Sequence, residues 1–370
     1  MRYNDIFMMQ PLTNGASINK TYIKFDIMKN LTTLTLIFVL CLFSFCNDRE
    51  LSEPSLISGD YEIEVGAKVE TSIVGQVLNE NNEPVNGAKV SFFNETTITD
   101  TEGRFEFFNK NSFENHAYIK VEKNGFLLGS RAIVPTDGIN TVLVKLLRAK
   151  EIARFISKDG ANVSFDNVNV KLGSDYVLLS GEKYSGEVVV KDAYIDPNAE
   201  DLDDIMPGSL RAADTNGETL LKTFGMIGVE LQDKLGNKLQ LGEGNTAEIK
   251  MPIPDNMLST APENMPLWHF DEDKGYWVEE GSATKVGNEY IGEVSHFSFW
   301  NCDIRVPSLT SYGRVVTGDG IPVSGARVSI SSPSESRSSM TCSKGKFGGI
   351  MPANVDLNIH VRINGNAIPK

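Results

Sequence analysis

"IVGQVLNENNEPVNGAKVSF", Ile73–Phe92, returns near the far end of the chain as "SYGRVVTGDGIPVSGARVSI", Ser311–Ile330. Gly75, Val77, Pro84, Gly87, Ala88 and Val90 correspond to Gly313, Val315, Pro322, Gly325, Ala326 and Val328 at a constant offset of 238. Each copy opens on an apolar stretch of strand character and runs into a polar turn, "NENNE" or "TGDG". Pro-Val then leads to Gly-Ala, where small residues let the backbone turn tightly before the next strand, "KVSF" or "RVSI". Further along, "TEGRFEF" around Gly103 is echoed by "SKGKFGG" around Gly345. Asp100–Phe105 reads as a hairpin turn entering a strand.

The rest of the chain agrees with strands. Its 370 residues include 32 glycines, its apolar stretches are short, and its length suits two or three domains. Between the copies lie "GANVSF", "SGEVVVKDAYI", "IGVELQD", "TAEIKMPIP", "PLWHFDEDKGYWVEE" and "NEYIGEVSHFSFW", each bounded by turn residues. "WHFDEDKGYW" reads as a hairpin with Gly275 in its turn. The fold class is therefore all-β, as tandem β-sandwiches. The expected division is a signal segment at 1–46, a linker at 47–70, a first sandwich at 71–149, a middle region at 150–305 and a second copy of the first unit at 306–370.

The repeated pattern closely resembles the carboxypeptidase-regulatory-like family, whose members are transthyretin-like β-sandwiches. That resemblance implies a spacer, stability or binding module and carries no catalytic residues. The second copy stops early. "DLNIHVRINGN" aligns with "HAYIKVEKNG", but nothing corresponds to "NTVLVKLL" at Asn140–Leu147. A sandwich without its last strand exposes an unpaired edge, from a truncated gene or as an acceptor for a partner's strand. The middle region, about 155–304, resembles the segment that follows this repeat in cartilage intermediate layer proteins. It is also distantly similar to the Ig-like sandwich shared by tight-junction scaffolds, netrin receptors and ankyrins. Both resemblances imply extracellular structural or adhesive use.

Lys29 precedes a short apolar run, "LTTLTLIFVLCLFSF", which ends at Cys46 and gives way to the acidic "NDRELSEP". A basic flank and a short apolar core read as an export signal, with Met28 a candidate start. The pattern resembles a bacterial lipoprotein signal, which implies acylation of Cys46 and a membrane tether at the outer membrane or cell surface. Phe45 departs from the small residue such signals usually carry there. Ordinary secretion and an uncleaved anchor are the alternatives.

Net charge is −14, and without residues 1–46 the count is 31 basic against 47 acidic, or −16. Such a surface repels phosphate backbones, so nucleic acid is excluded as a partner. Cys302 and Cys342 stand 40 residues apart with no C-x-x-C spacing, so no zinc site is expected from them, and a disulfide between them stays open. His116, His269, His296 and His360 show neither H-x-x-x-H nor H-x-x-E spacing, so no metal centre or cofactor is expected. "DAYIDPNAEDLDD", Asp192–Asp204, lacks EF-hand spacing and reads as a solvated loop, with a calcium site as the alternative.

"EVSHFSFW", Glu293–Trp300, reads as one strand, which places Val294, His296, Ser298 and Trp300 on one face. His-Phe-Ser resembles the cleavage motif of some self-cleaving proteins. Carried over, Ser298 attacks the preceding carbonyl, His296 acts as base and the Phe297–Ser298 bond breaks. The plainer expectation is a packed strand. Trp268, Trp277 and Trp300 fall in this same part of the chain, as core aromatics or as a platform for a glycan. Read together, the residues point to a non-enzymatic, exported surface protein that binds an extracellular protein or glycan. Self-cleavage and a carbohydrate-binding accessory role are the alternatives.

Overall fold

The computed structural model describes residues 6–9, 62–332 and 336–363. Cys46, Met28 and all of the expected signal except residues 6–9, with residues 47–61 of the linker, lie outside the described residues. Those described are nearly all strand, broken by a single turn of α-helix at Leu202–Ile205 and a 3₁₀ turn at Ser157–Asp159.

In the first copy of the repeat, Lys68–Asn79 lies between Arg104–Phe113, antiparallel, and Ile139–Leu146, parallel. A second sheet runs in the order Glu95–Ile98, Lys89–Phe92, Ala117–Glu122, Gly129–Ile133. Alternation along these strands puts Ile73, Val77, Val90, Phe92, Phe105, Ile119 and Val144 into one core between the sheets.

The second copy repeats this geometry bond for bond. Val77 N donates to Gly103 O at 2.8 Å and Val315 N to Gly345 O at 2.8 Å. Thr99 Oγ1 donates to Val85 O at 2.6 Å, and Thr341 Oγ1 to Val323 O at 2.7 Å. Each glycine at 75 and 313 lies under a phenylalanine ring. A Cβ there would meet Phe105 at 2.2 Å or Phe347 at 2.3 Å, so both positions require glycine.

The Ser308–Val316 edge, whose counterpart in the first copy pairs with Ile139–Leu146, has a partner. Ile6–Met9 pairs in parallel with Ser308–Val316, Ile6 opposite Gly313 and Met8 opposite Val315. In the first copy Val142 stands opposite Gly75 and Val144 opposite Val77, so the two parallel partners share one register. Removing residues 1–46 is therefore expected to uncover the Ser308–Val316 edge. Amide exchange there should rise by an order of magnitude or more, with Lys68–Asn79 unchanged. Equal exchange in the full and shortened chains would show that the pairing contributes nothing.

Between the copies, fourteen strands form one hydrogen-bonded network that folds over itself. Its central run places Glu289–Val294, Tyr276–Val286, Asn264–Asp271, Phe299–Val306 and Gly217–Asp233 side by side. One core gathers Val190, Ile227, Leu231, Ile249, Leu267 and Trp300. A second gathers Leu221, Met226, Trp268, Phe270 and Trp277 with Tyr118, Leu127 and Ala132 of the first copy, so the two units share apolar packing. Burying each tryptophan contributes on the order of 5 kcal/mol of transfer free energy.

Asp192–Asp204 is exposed only in its middle, at Asp196, Asn198 and Glu200. Asp192, Leu202 and Asp204 are buried. Two of the carboxylates turn to cations of neighbouring units: Asp201 to Lys145 at 2.8 Å and Asp204 to Arg327 at 2.9 Å. Arg131 donates to Asp203 O and to Ser338 O, the latter at 3.0 Å. Arg211 holds Glu218 while donating to Asn115 O and Glu64 O. The first and last units also meet directly, Ile139 N donating to Ser343 Oγ at 2.9 Å. These charges were spread too widely along the sequence to be recognised as one cluster.

Cys302 and Cys342 are both free and buried. The first lies in the larger core of the middle region, the second beside Gly138 of the first copy. They do not pair.

Candidate functional site

The expected continuous strand through Glu293–Trp300 is broken. One strand ends at Val294 and the next begins at Phe299, with residues 295–298 forming a bend. Phe297 joins the core of Trp300 while Phe299 joins the other, although a continuous strand would put Phe297 and Phe299 on one face. The bend is held from a distant strand, Lys238–Leu241. Gln240 Oε1 accepts from Phe297 N at 2.7 Å, and its Nε2 donates to Phe297 O at 2.7 Å. Trp300 Nε1 adds a hydrogen bond to His296 O at 3.0 Å.

Held in this way, His296 turns toward a hairpin. His269 lies on Asn264–Asp271 and Glu280 on Tyr276–Val286, paired strands of one antiparallel ladder. His269 Nδ1 is 3.0 Å from Glu280 Oε2, and His296 Nε2 is 3.3 Å from that same oxygen. The two imidazoles meet edge to face with centroids 4.8 Å apart, and Trp300 borders both. Ser295 Oγ donates to the other carboxylate oxygen, Oε1. His269, followed by His296, holds the Glu280 carboxyl far below the ordinary range, against the opposing effect of burial. The cluster opens onto a cavity of about 350 Å³ bordered by Lys238, Gln240, Glu272 and Ser298.

Ser298 and His296 share the bend but not a hydrogen bond. Ser298 Oγ donates to Phe299 O at 3.1 Å, while His296 Nε2 faces Glu280. The three tryptophans are fully buried, so none offers a ring face to a sugar. Trp268 Nε1 donates to Asp303 O at 3.0 Å and Trp277 Nε1 to Ser209 O at 2.8 Å. Sequence spacing brought His296 and Ser298 forward and passed over His269 and Glu280. The hairpin register links those two, and the bend then delivers His296. The hairpin itself was legible in "WHFDEDKGYW"; the bend was not.

No family model matches the chain. Among curated proteins it is similar to human cartilage intermediate layer protein 2, 29% identical over 109 residues, which is 29% of this chain and 9% of that protein. It is also similar to mouse cartilage intermediate layer protein 1, 21% identical over 266 residues, 65% of this chain and 22% of that protein. The chain thus spans under a quarter of the length of these relatives. Among solved structures, the Bacillus anthracis TIE protein aligns over 80% of this chain and 48% of its own, at 12% identity and a TM-score of 0.18. A membrane-associated protein of unknown function from Bacteroides fragilis aligns over 65% of this chain and 99% of its own, at 8% identity and a TM-score of 0.18. TM-scores this low assign no common fold.

Proposed function

We propose that this chain is a non-enzymatic structural or adhesive module displayed outside the cytosol and tethered through acylated Cys46. The observation that carries the reading is the junction of the three units. Arg131, Arg211 and Arg327 join segments from all three through partly buried ion pairs and hydrogen bonds. The first and middle units also share a core. Such a block holds its outer faces in fixed relation, as a spacer or adhesive stalk requires, whereas units on loose linkers do not. The similarity to cartilage intermediate layer proteins, whose name places them in a layer of cartilage, supports the same reading. Extracellular protein or glycan is the partner class it fits.

Intact mass of the membrane-extracted protein tests the proposal, together with protease treatment of whole cells. The expected species begins at an acylated Cys46, is accessible from outside and carries no internal cut. Fragments divided at Phe297–Ser298 that disappear in Ser298→Ala would replace this reading with self-processing. An unacylated chain confined to the cytosol would end it.

A further inference from the structure

We propose that His269, Glu280 and His296 form a binding site for a zinc-type divalent transition metal, with one coordination position facing the adjacent cavity. The inference concerns a metal and is independent of the structural or adhesive reading.

The donor set comes first. Two imidazoles and a carboxylate suit zinc and its borderline neighbours, and three protein ligands with an open position are a recurrent arrangement for it. Spacing comes second. Ligand atoms bound at about 2.0–2.1 Å in a tetrahedron lie about 3.3 Å from one another. His269 Nδ1 and His296 Nε2 lie 3.0 and 3.3 Å from one Glu280 oxygen, and all three ligand atoms fall within 4.8 Å of one another. The two nitrogens, no more than 4.8 Å apart, would need to approach to about 3.3 Å. Among the described residues, this is the one group of three such side chains placed in that way.

The third argument is a nitrogen left over. His269 Nδ1 is buried and completes no hydrogen bond, and Glu280 Oε2, 3.0 Å away, is shared with His296. A buried polar atom in that state is costly unless something occupies its lone pair or takes its proton. A cation at the centre of the three groups resolves this in one step. The supports are already in place: Ser295 holds the second Glu280 oxygen, and Gln240 clamps the bend that carries His296. Such outer contacts orient ligands and strengthen a site. The bound ion would tie two strands and the bend together beside the cavity, with water in the remaining position.

The test uses the full chain after chelator treatment. Zinc is titrated against a competing chromophoric chelator, and cobalt is added separately for its visible spectrum. The expected result is one tight equivalent per chain, a four-coordinate cobalt spectrum and a raised melting temperature with zinc. His296→Gln and Glu280→Gln should each weaken binding about 100-fold or more. Both positions are partly exposed, so metal-free melting should stay close to that of the unaltered chain. Zinc binding of equal strength in the unaltered and His296→Gln chains would overturn the site. So would an octahedral cobalt spectrum indistinguishable from that of the free ion. A melting temperature that responds to pH but not to zinc would show a proton-shared His–Glu cluster instead.

Discussion

Gly103→Val and Gly345→Val should each destabilise the protein by about 2–6 kcal/mol, and by nearly the same amount. Both glycines sit in the left-handed region, φ +71° and +73°. A β-branched residue there is strained by about 1–3 kcal/mol. Space adds a second cost. A Cβ at Gly103 would stand 2.4 Å from Val77 O, and one at Gly345 would stand 2.4 Å from Val315 O. Those carbonyls cannot retreat, because they accept from Val85 N and Val323 N, each at 3.0 Å. Displacing them breaks the turn that sets strand register, for about 1–3 kcal/mol more. Gly125→Val is the control. Its φ is +87° but nothing lies within 4 Å of the added carbon, so it should cost only about 1–2 kcal/mol. Urea midpoints of the three variants decide the matter. If Gly345→Val cost no more than Gly125→Val, the second copy would not hold its turn as the first does.

That pair also marks what the sequence made legible. Turn chemistry is local, so the repeated glycines, Pro-Val and Gly-Ala announced two like sandwiches, and the hydrogen bonds agree position by position. The hairpin carrying Trp268 and Trp277 was legible for the same reason, with Phe270 opposite Trp277 and Gly275 at φ +80° in the turn. The bend at 295–298 was not, because "EVSHFSFW" has the apolar content of a strand and its cause is Gln240, far away in the chain. The site depends on that bend, so spacing along the sequence matched His296 with Ser298 instead of with Glu280. Ion pairs of the junction were hidden likewise. Asp204 and Arg327 are ordinary surface residues in any local window and meet only when the units dock. Periodicity reports which way a side chain faces within its own strand, not which distant strand will close on it.

Asp303 should make the protein lose stability as pH rises, and Asp303→Asn should remove that share of the loss while leaving the share that buried Asp192, pushed up to about 7, adds. The residue is fully buried on Phe299–Val306, with Oδ2 accepting from Asn301 Nδ2 at 3.0 Å and Oδ1 lacking a partner. Burial pushes its carboxyl up to about 8, although Thr223, Arg337, Asn301 and the Phe224 backbone all pull the other way. In the unfolded chain the same group ionises near 3.9. Between those values the folded state keeps a proton that the unfolded state has released, so each step up in pH favours unfolding. The stabilisation is complete below about 4, declines through the interval and is gone above about 8, a span on the order of 5 kcal/mol. His116 acts in the opposite direction at lower pH. Burial depresses its pKa to about 4, so protonation of the unfolded chain costs stability as pH falls below the ordinary histidine range. Comparing variant with unaltered protein at each pH cancels that contribution, since Asp303→Asn leaves His116 in place. Asparagine keeps the shape and cannot ionise, so the difference in urea midpoint between the two proteins should move steadily in the variant's favour from pH 5 to pH 8. Parallel curves would mean that Asp303 is ionised and compensated in the folded state, and that the buried Asn301–Asp303 pair is held by a charge partner rather than by a retained proton.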